Sequence, residues 1–237
     1  DYDDLNNNYV YDPPVSAEGY DDSKWYLDVG DFDFISTALS SDGEYVVASR
    51  WGGEYPEDEY QNPEIRLWNR DSNNYEWRRE IDGNATTLAI SANGEYIVAG
   101  CDDDKVYLFD KDSSTPLWSY DTGADVTSVS ISASGQFILV GQEEGKLFLF
   151  NKNSGTPLWN YTNTGGSSFV SVEISKDGDI ISATGEDDKV YVFNNNASSS
   201  LSVIPYAPIY EEIIYPEDKK PCAMILLIVK NTCATHP

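Results

Sequence analysis

One stretch of this chain reads as a variation on the next, and that self-similarity limits the folds open to it more than any single motif. "SANGEYIVAGCDDDKVYLFDKDSSTPLWSY" is followed by "SASGQFILVGQEEGKLFLFNKNSGTPLWNY" and then by "SKDGDIISATGEDDKVYVFNNNASSS". A looser copy, "SSDGEYVVASRWGG…EIRLWNRDSNNYEW", precedes all three. Trp68, Phe109, Phe150 and Phe193 recur at intervals of 41, 41 and 43 residues, and Trp77, Trp118 and Trp159 at 41 and 41. The first copy carries an insertion over 55–63. A fixed period of this length means like units, each hiding its faces against its neighbours.

Each copy divides into four short strand signals. Strand a alternates apolar and polar residues, as Val129 and Ile131 or Val172 and Ile174 do. A tight turn follows at Asp42-Gly43, Asn93-Gly94, Ser134-Gly135 and Asp177-Gly178, where Gly accepts the positive φ that a two-residue hairpin demands. Strand b comes next, then an acidic turn, then strand c with its alternating aromatics, then a polar loop and strand d with its Trp. Four antiparallel strands at this period are the signature of a β-propeller blade. The expected fold is therefore all-β, a propeller of about four four-stranded antiparallel blades. Trp25, Trp68, Trp77, Phe109, Trp118, Phe150, Trp159 and Phe193 are expected to wedge between blades rather than cage a ligand.

On these repeats, above all "ISANGEYIVAGCDDDKVYLFDKDSSTPLWSYDTG", residues 24–200 resemble the secreted WD40-like and PQQ-like repeat propellers common in archaea. No Trp-Asp dipeptide closes strand c, as a strict WD40 repeat would require. The resemblance implies the fold and little about activity, since such propellers serve many roles. It also raises a PQQ-type dehydrogenase. Those enzymes as a family use more blades, a cofactor-contacting cysteine pair and a catalytic Asp with calcium. With about four repeats and no adjacent cysteines, no residue carries over.

The ends set the blade count. "KWYLDVG" at 24–30 looks like strand d ("LWSYDTG" at 117–123), yet it precedes the first strand a. The last clear repeat stops after strand c. The early strand could complete the last blade within the chain, or "ASSSLSVIPY" at 197–206 could serve there and leave the early strand to pair with another copy. Subunits joined head to tail in that way form an open filament unless the rotation closes. Residues 1–23, with Pro13-Pro14 and several Tyr, read as an extended N-terminal arm. Residues 201–237 read as a C-terminal tail with a short apolar strand over 223–229. Cys222 and Cys233 flank that strand and could pair in a disulfide, while Cys101 is expected to be a buried thiol.

The charge bears on partners. With 41 Asp+Glu against 15 Lys+Arg the net charge is −26, so nucleic acid and anionic membrane surfaces are excluded as partners. No apolar run reaches the roughly 18 residues of a membrane span. The b–c turns concentrate acid at Asp102, Asp103, Asp104, Glu143, Glu144, Glu186, Asp187 and Asp188. All fall on one expected face, as a solvated rim or as calcium ligands; calcium is the one cofactor considered. Asn84, Asn160 and Asn196 open glycan acceptor sequons. A chain starting at Asp1 reads as a mature secreted protein, extracellular or at the cell surface. Its one His, His236, leaves imidazole chemistry without a base. The expected function is a secreted, non-enzymatic structural or adhesive module, a subunit of an extracellular filament or surface assembly that self-associates through its terminal arms. The alternative is a monomeric module binding a protein, glycan or cation on its acidic face.

Overall fold

The computed structural model describes residues 33–54 and 60–195. All of them belong to the first of the two units into which the chain divides, Asp1–Tyr206. Among the described residues there is no helix. The first blade has the strand order β1-β2-β5-β6, from β1 (Phe34–Leu39), β2 (Tyr45–Arg50), β5 (Glu64–Asn69) and β6 (Tyr75–Glu80). Its insertion begins and ends in a two-stranded ribbon of β3 (Gly53–Glu54) and β4 (Tyr60–Gln61). The second blade joins β7 (Ala85–Ile90), β8 (Tyr96–Cys101), β9 (Lys105–Asp110) and β10 (Ser113–Asp121). The third joins β11 (Val126–Ile131), β12 (Phe137–Gln142), β13 (Lys146–Asn151) and β14 (Ser154–Thr162). The fourth has three described strands, β15 (Phe169–Ile174), β16 (Ile180–Gly185) and β17 (Val190–Asn194). The fold is an all-β propeller built from four-stranded antiparallel blades, and both stretches expected to supply the last sheet's fourth strand, 24–30 and 197–206, lie outside the described residues.

The a–b hairpin is made the same way each time. The hydroxyl oxygens of Ser40, Ser91, Ser132 and Ser175 accept the backbone N–H five residues on, at 2.9, 3.0, 3.0 and 2.9 Å. Three residues after each Ser sits a Gly with φ between +68° and +84°, the left-handed region in which a side chain is strained. At Gly94, Gly135 and Gly178 a Cβ would also strike the ring of Tyr45, Tyr96 or Phe137 in the preceding blade. Glycine is thus required both by the turn and by the seam between blades.

Among the described residues the hydrophobic core forms three seams. Val47, Ile65, Leu67 and Trp77 of the first blade pack on Leu88, Ile97, Ala99, Tyr107 and Phe109 of the second. Val98, Val106 and Leu108 of the second meet Val129, Val140, Phe148 and Phe150 of the third. Leu139, Leu147 and Leu149 of the third meet Phe169, Val172, Tyr191 and Phe193 of the fourth. No hydrophobic cluster among the described residues joins the fourth blade to the first. Backbone hydrogen bonds of 3.0 Å cross all three seams at the a–b turns, from Ser41 to Ala92, Ala92 to Ala133 and Ala133 to Lys176.

A bulge near the start of strand a recurs in every blade, between Phe34/Ser36, Ala85/Thr87, Val126/Ser128 and Phe169/Ser171. A bulge leaves one residue unpaired and re-aims it. In the middle blades that residue is Thr86 or Thr127, whose hydroxyl donates across the seam to the carbonyl of Val126 or Phe169. The first blade has Ile35 there, and Ser49 supplies the bond instead, donating to the Ala85 carbonyl at 2.6 Å. Ser49 stands where later blades have Gly100 and Gly141. A Cβ on Gly100 would overlap Val126, and one on Gly141 would lie 2.8 Å from Val172 Cγ1. Gly100→Val should therefore destabilise the fold by about 1–3 kcal/mol through overpacking, measured by urea unfolding, whereas a Ser49→Gly change should cost less.

Candidate functional site

Three regions carry more than core chemistry: the acidic b–c turns, the Glu64 face of the first blade and the exposed apolar residues of the fourth.

The acidic turns share one backbone form. Asp104, Gly145 and Asp188 occupy the same position with φ of 66°, 74° and 61°. Their carboxylates are held mostly by donors of their own turn. Asp102 accepts the Asn84 backbone N–H at 2.7 Å and its side-chain amide at 2.9 Å. Asp103 accepts from Lys105 Nζ at 3.0 Å and from the Tyr107 hydroxyl at 3.2 Å. Asp187 does the same with Lys189 Nζ at 2.8 Å and the Tyr191 hydroxyl at 2.5 Å. The third blade has Glu144 and Phe148 at these positions, and no hydroxyl to bond. Lys146 Nζ lies 3.7 Å from Glu144.

Titration follows the contacts. Lys189 first, then Tyr191, holds the Asp187 carboxyl below the usual carboxylate range. Burial, then Asp103, pushes the Tyr107 phenol up to about 12. Asp125, in the d–a connection, is held above its usual range, first by burial and then by Glu143, Asp104 and Asp102. Acidic groups of adjacent blades therefore do converge there. Among the described residues, no group of three or more His, Cys, Asp and Glu side chains is placed to hold a metal ion.

One face of the first blade departs from the repeat. Glu64 stands where the other blades have Lys105, Lys146 and Lys189, and Arg66 where they have Tyr107, Phe148 and Tyr191. Glu64 is 4% exposed and accepts from Arg66 Nε at 2.8 Å. Arg50 Nη2 lies at 3.2 Å and Arg78 Nη1 at 3.4 Å from its other oxygen. Arg50 also donates to the Asn62 carbonyl at 3.3 Å, which ties the cluster to the end of the insertion. The sequence reading missed this cluster. Its signal was present, an Glu-Ile-Arg run where three other copies place Lys, an aliphatic and an aromatic. Phe34 and Leu39 remain exposed on the same blade.

At the far end, β17 pairs with β16. Val170, Ile180 and Val190 of this blade are half exposed, at 56%, 46% and 50%. The equivalents of Val190 in the earlier blades, Ile65, Val106 and Leu147, are each fully buried.

The aromatic wedges fall on the seams in three of four cases. Trp77 faces Phe109 with ring centroids 5.5 Å apart, Trp118 faces Phe150 at 5.1 Å, and Trp159 faces Phe193 at 6.0 Å. The indole N–H of Trp77 donates to the Lys111 carbonyl at 2.8 Å, and that of Trp118 to Lys152 at 2.9 Å, each in the next blade. Trp68, 3% exposed, meets Phe34 of its own sheet at 6.3 Å. Cys101 is a fully buried, unpaired thiol whose pKa is raised by burial. Trp25, Asn196, Cys222 and Cys233 lie outside the described residues, as do the arm over 1–23 and the tail over 201–237. Of the remaining sequons, Asn160 is exposed on β14, whereas both ends of the Asn84 amide are engaged, by Asp102 and by the Gly52 N–H at 2.9 Å. No described helix is long and apolar enough to cross a membrane.

No curated protein is significantly similar to the chain. The family model described as outer membrane protein assembly factor BamB, built on PQQ-like repeats, matches residues 31–206, well over half the chain and all four blades. The chain is thus a PQQ-like repeat β-propeller and belongs to the family of the outer membrane protein assembly factor BamB.

Proposed function

We propose that this chain is a non-enzymatic structural module of an extracellular or cell-surface assembly, one that joins its neighbours through terminal strands. The observation that carries the reading is the apolar surface of the fourth blade, where Val170, Ile180 and Val190 are half exposed. Apolar side chains grouped on an exposed sheet surface favour burial against another chain. The family name supports a role among other proteins, since it is that of an assembly factor. The net charge of −26 adds a condition, because like-charged surfaces repel and the repulsion is screened by salt. Association should therefore strengthen between low and physiological ionic strength. Light scattering after gel filtration tests the reading: multiples of 26.4 kDa are expected, and a particle of 26.4 kDa at every salt concentration would overturn it.

A secreted chain should also carry its glycan on Asn160 and not on Asn84. Attachment at Asn84 would remove a hydrogen bond to Asp102 and add bulk beside the Gly52 backbone. Peptide mass spectrometry of protein from its native source reads the two positions separately.

The second reading, a monomeric module binding a cation or basic partner on the acidic face, is favoured by Asp125. Its carboxyl is held above its usual range by burial first and then by Glu143, Asp104 and Asp102. A bound cation would relieve that repulsion, and it would show as a rise in melting temperature when calcium is added.

A further inference from the structure

We infer that a saccharide N-linked at Asn160 lies in the groove between the second and third blades, packs on Leu158 and Tyr120, and braces that seam. The inference rests on the extracellular role proposed above and gives the Asn160 glycan a structural task.

Strand β14 alternates between exposed and half-buried positions, and Leu158, Asn160 and Thr162 are among its exposed members. Residues two apart on a strand share a face, roughly 6–7 Å from one another. Asn160 therefore stands between Leu158, an apolar side chain 53% exposed, and the Thr162 of its own Asn160-Tyr161-Thr162 sequon. Directly opposite Asn160 on β13 is Phe148, so the two side chains leave the sheet on the same side. Phe148 belongs to the middle seam, and Tyr120 of the second blade packs on it with ring centroids 5.6 Å apart. Asn160 is thus on the side of the third blade that faces the second. The start of β14 runs close to β10, since a Cβ on Gly155 would lie 3.2 Å from Trp118 Cβ. The two outer strands bound the groove, with Leu158 on one wall and Tyr120 on the other. The Asn160 amide is bonded to no described residue, whereas that of Asn84 is held at both ends. The first two blades have Arg78 and Ser119 at the position of Asn160, so among the three complete blades only the third offers an acceptor here.

Attachment is a group transfer from a lipid-phosphate-linked oligosaccharide. The Asn160 amide nitrogen attacks the anomeric carbon of the donor. The C–N bond forms as the C–O bond to phosphate breaks, the lipid phosphate leaves with the electron pair, and the amide gives one of its two protons to the transferase. A pyranose carries C–H groups on its faces and hydroxyls at its rim, so its first ring covers apolar side chains while its edge stays hydrated. Leu158 supplies such a surface on the same strand, and Tyr120 supplies a ring and a hydroxyl from the neighbouring blade. A sugar that touches both blades adds to the interface contribution on which a stack of repeats depends.

The test compares the chain with Asn160→Gln, both secreted from a eukaryotic host that N-glycosylates, each with and without Leu158→Ser. Peptide mass spectrometry is expected to find Asn160 occupied. The occupied chain should melt a few degrees above Asn160→Gln, and the amides of β11 should exchange severalfold more slowly. Leu158→Ser should remove most of both differences; Leu158 is exposed, so its substitution leaves the core intact. The same four chains made in bacteria, without sugar, should show neither difference. A bare Asn160, or a gain in Tm that survives Leu158→Ser, would overturn the inference. Self-association is read separately: a braced seam in a particle of single-chain mass at every salt concentration would overturn the assembly reading alone.

Discussion

Replacing Glu64 by Gln should lower the stability of this propeller by about 3–5 kcal/mol, the usual cost of removing one partner from a buried ion cluster. The change is nearly isosteric, so packing is preserved and only charge is lost. The expectation rests on burial. The Glu64 carboxylate, 4% exposed, meets the guanidinium groups of Arg50, Arg66 and Arg78, and those of Arg50 and Arg66 are 6% and 11% exposed. Without Glu64 these cations lose their common carboxylate where little water reaches them, and desolvation dominates the balance. Arg78, half exposed, contributes far less. For a chain of this size the loss corresponds to a fall in Tm of roughly 6–20 °C.

The repeat supplies the control. In the third blade the same three positions are Gln142, Lys146 and Phe148. Glu64→Lys alone should be at least as damaging as Glu64→Gln. Combining it with Arg50→Gln and Arg66→Phe copies a working blade and should recover most of the stability, because a buried ion cluster replaced as a whole is often no worse than the original. Thermal melts of the single and triple variants decide the matter. An unchanged Tm for Glu64→Gln would mean that the cluster is effectively solvated.

The repeat made the fold legible because a period near 41 residues with four strand signals and recurrent aromatics is satisfied by few architectures. The a–b turns, the Trp–Phe pairs and the acidic b–c turns all lie where that pattern put them. What could not be read was anything set by departure from the pattern or by geometry across a seam. Tyr45, Tyr96 and Phe137 look like ordinary strand residues, yet each lies beneath the turn glycine of the next blade. The Glu64 cluster needed its four members aligned in space from Arg50 to Arg78. The acidic residues were identified by type, but only the fold showed that Asp102, Asp103 and Asp187 are engaged by neighbouring donors while Asp125 meets acids of two blades.

Phe150→Ala should have an effect of similar size and a different reach. Phe150 is fully buried at the middle seam, with ring centroids of Trp118 at 5.1 Å, Tyr120 at 5.2 Å and Phe148 at 6.2 Å. Its removal costs the transfer free energy of the ring and leaves a cavity, together about 3–5 kcal/mol. The surrounding sheets are fixed by their own ladders and by the seam bond from Ala92 to Ala133, so the site has little freedom to collapse. In a stack of repeats stability is a sum of blade and interface contributions. Weakening the middle interface should therefore part the second blade from the third before either blade melts. Hydrogen exchange should show the loss first in β7 and β11, which pack against each other across this seam, with β1–β2 and β15–β16 less affected. Trp118→Phe separates packing from hydrogen bonding at the same place. It keeps a ring against Phe150, gives up the 2.8–2.9 Å class of indole bond that Trp118 makes to Lys152, and should cost only about 1 kcal/mol. Equal losses from the two variants would show that the bond, and not the ring packing, holds the seam.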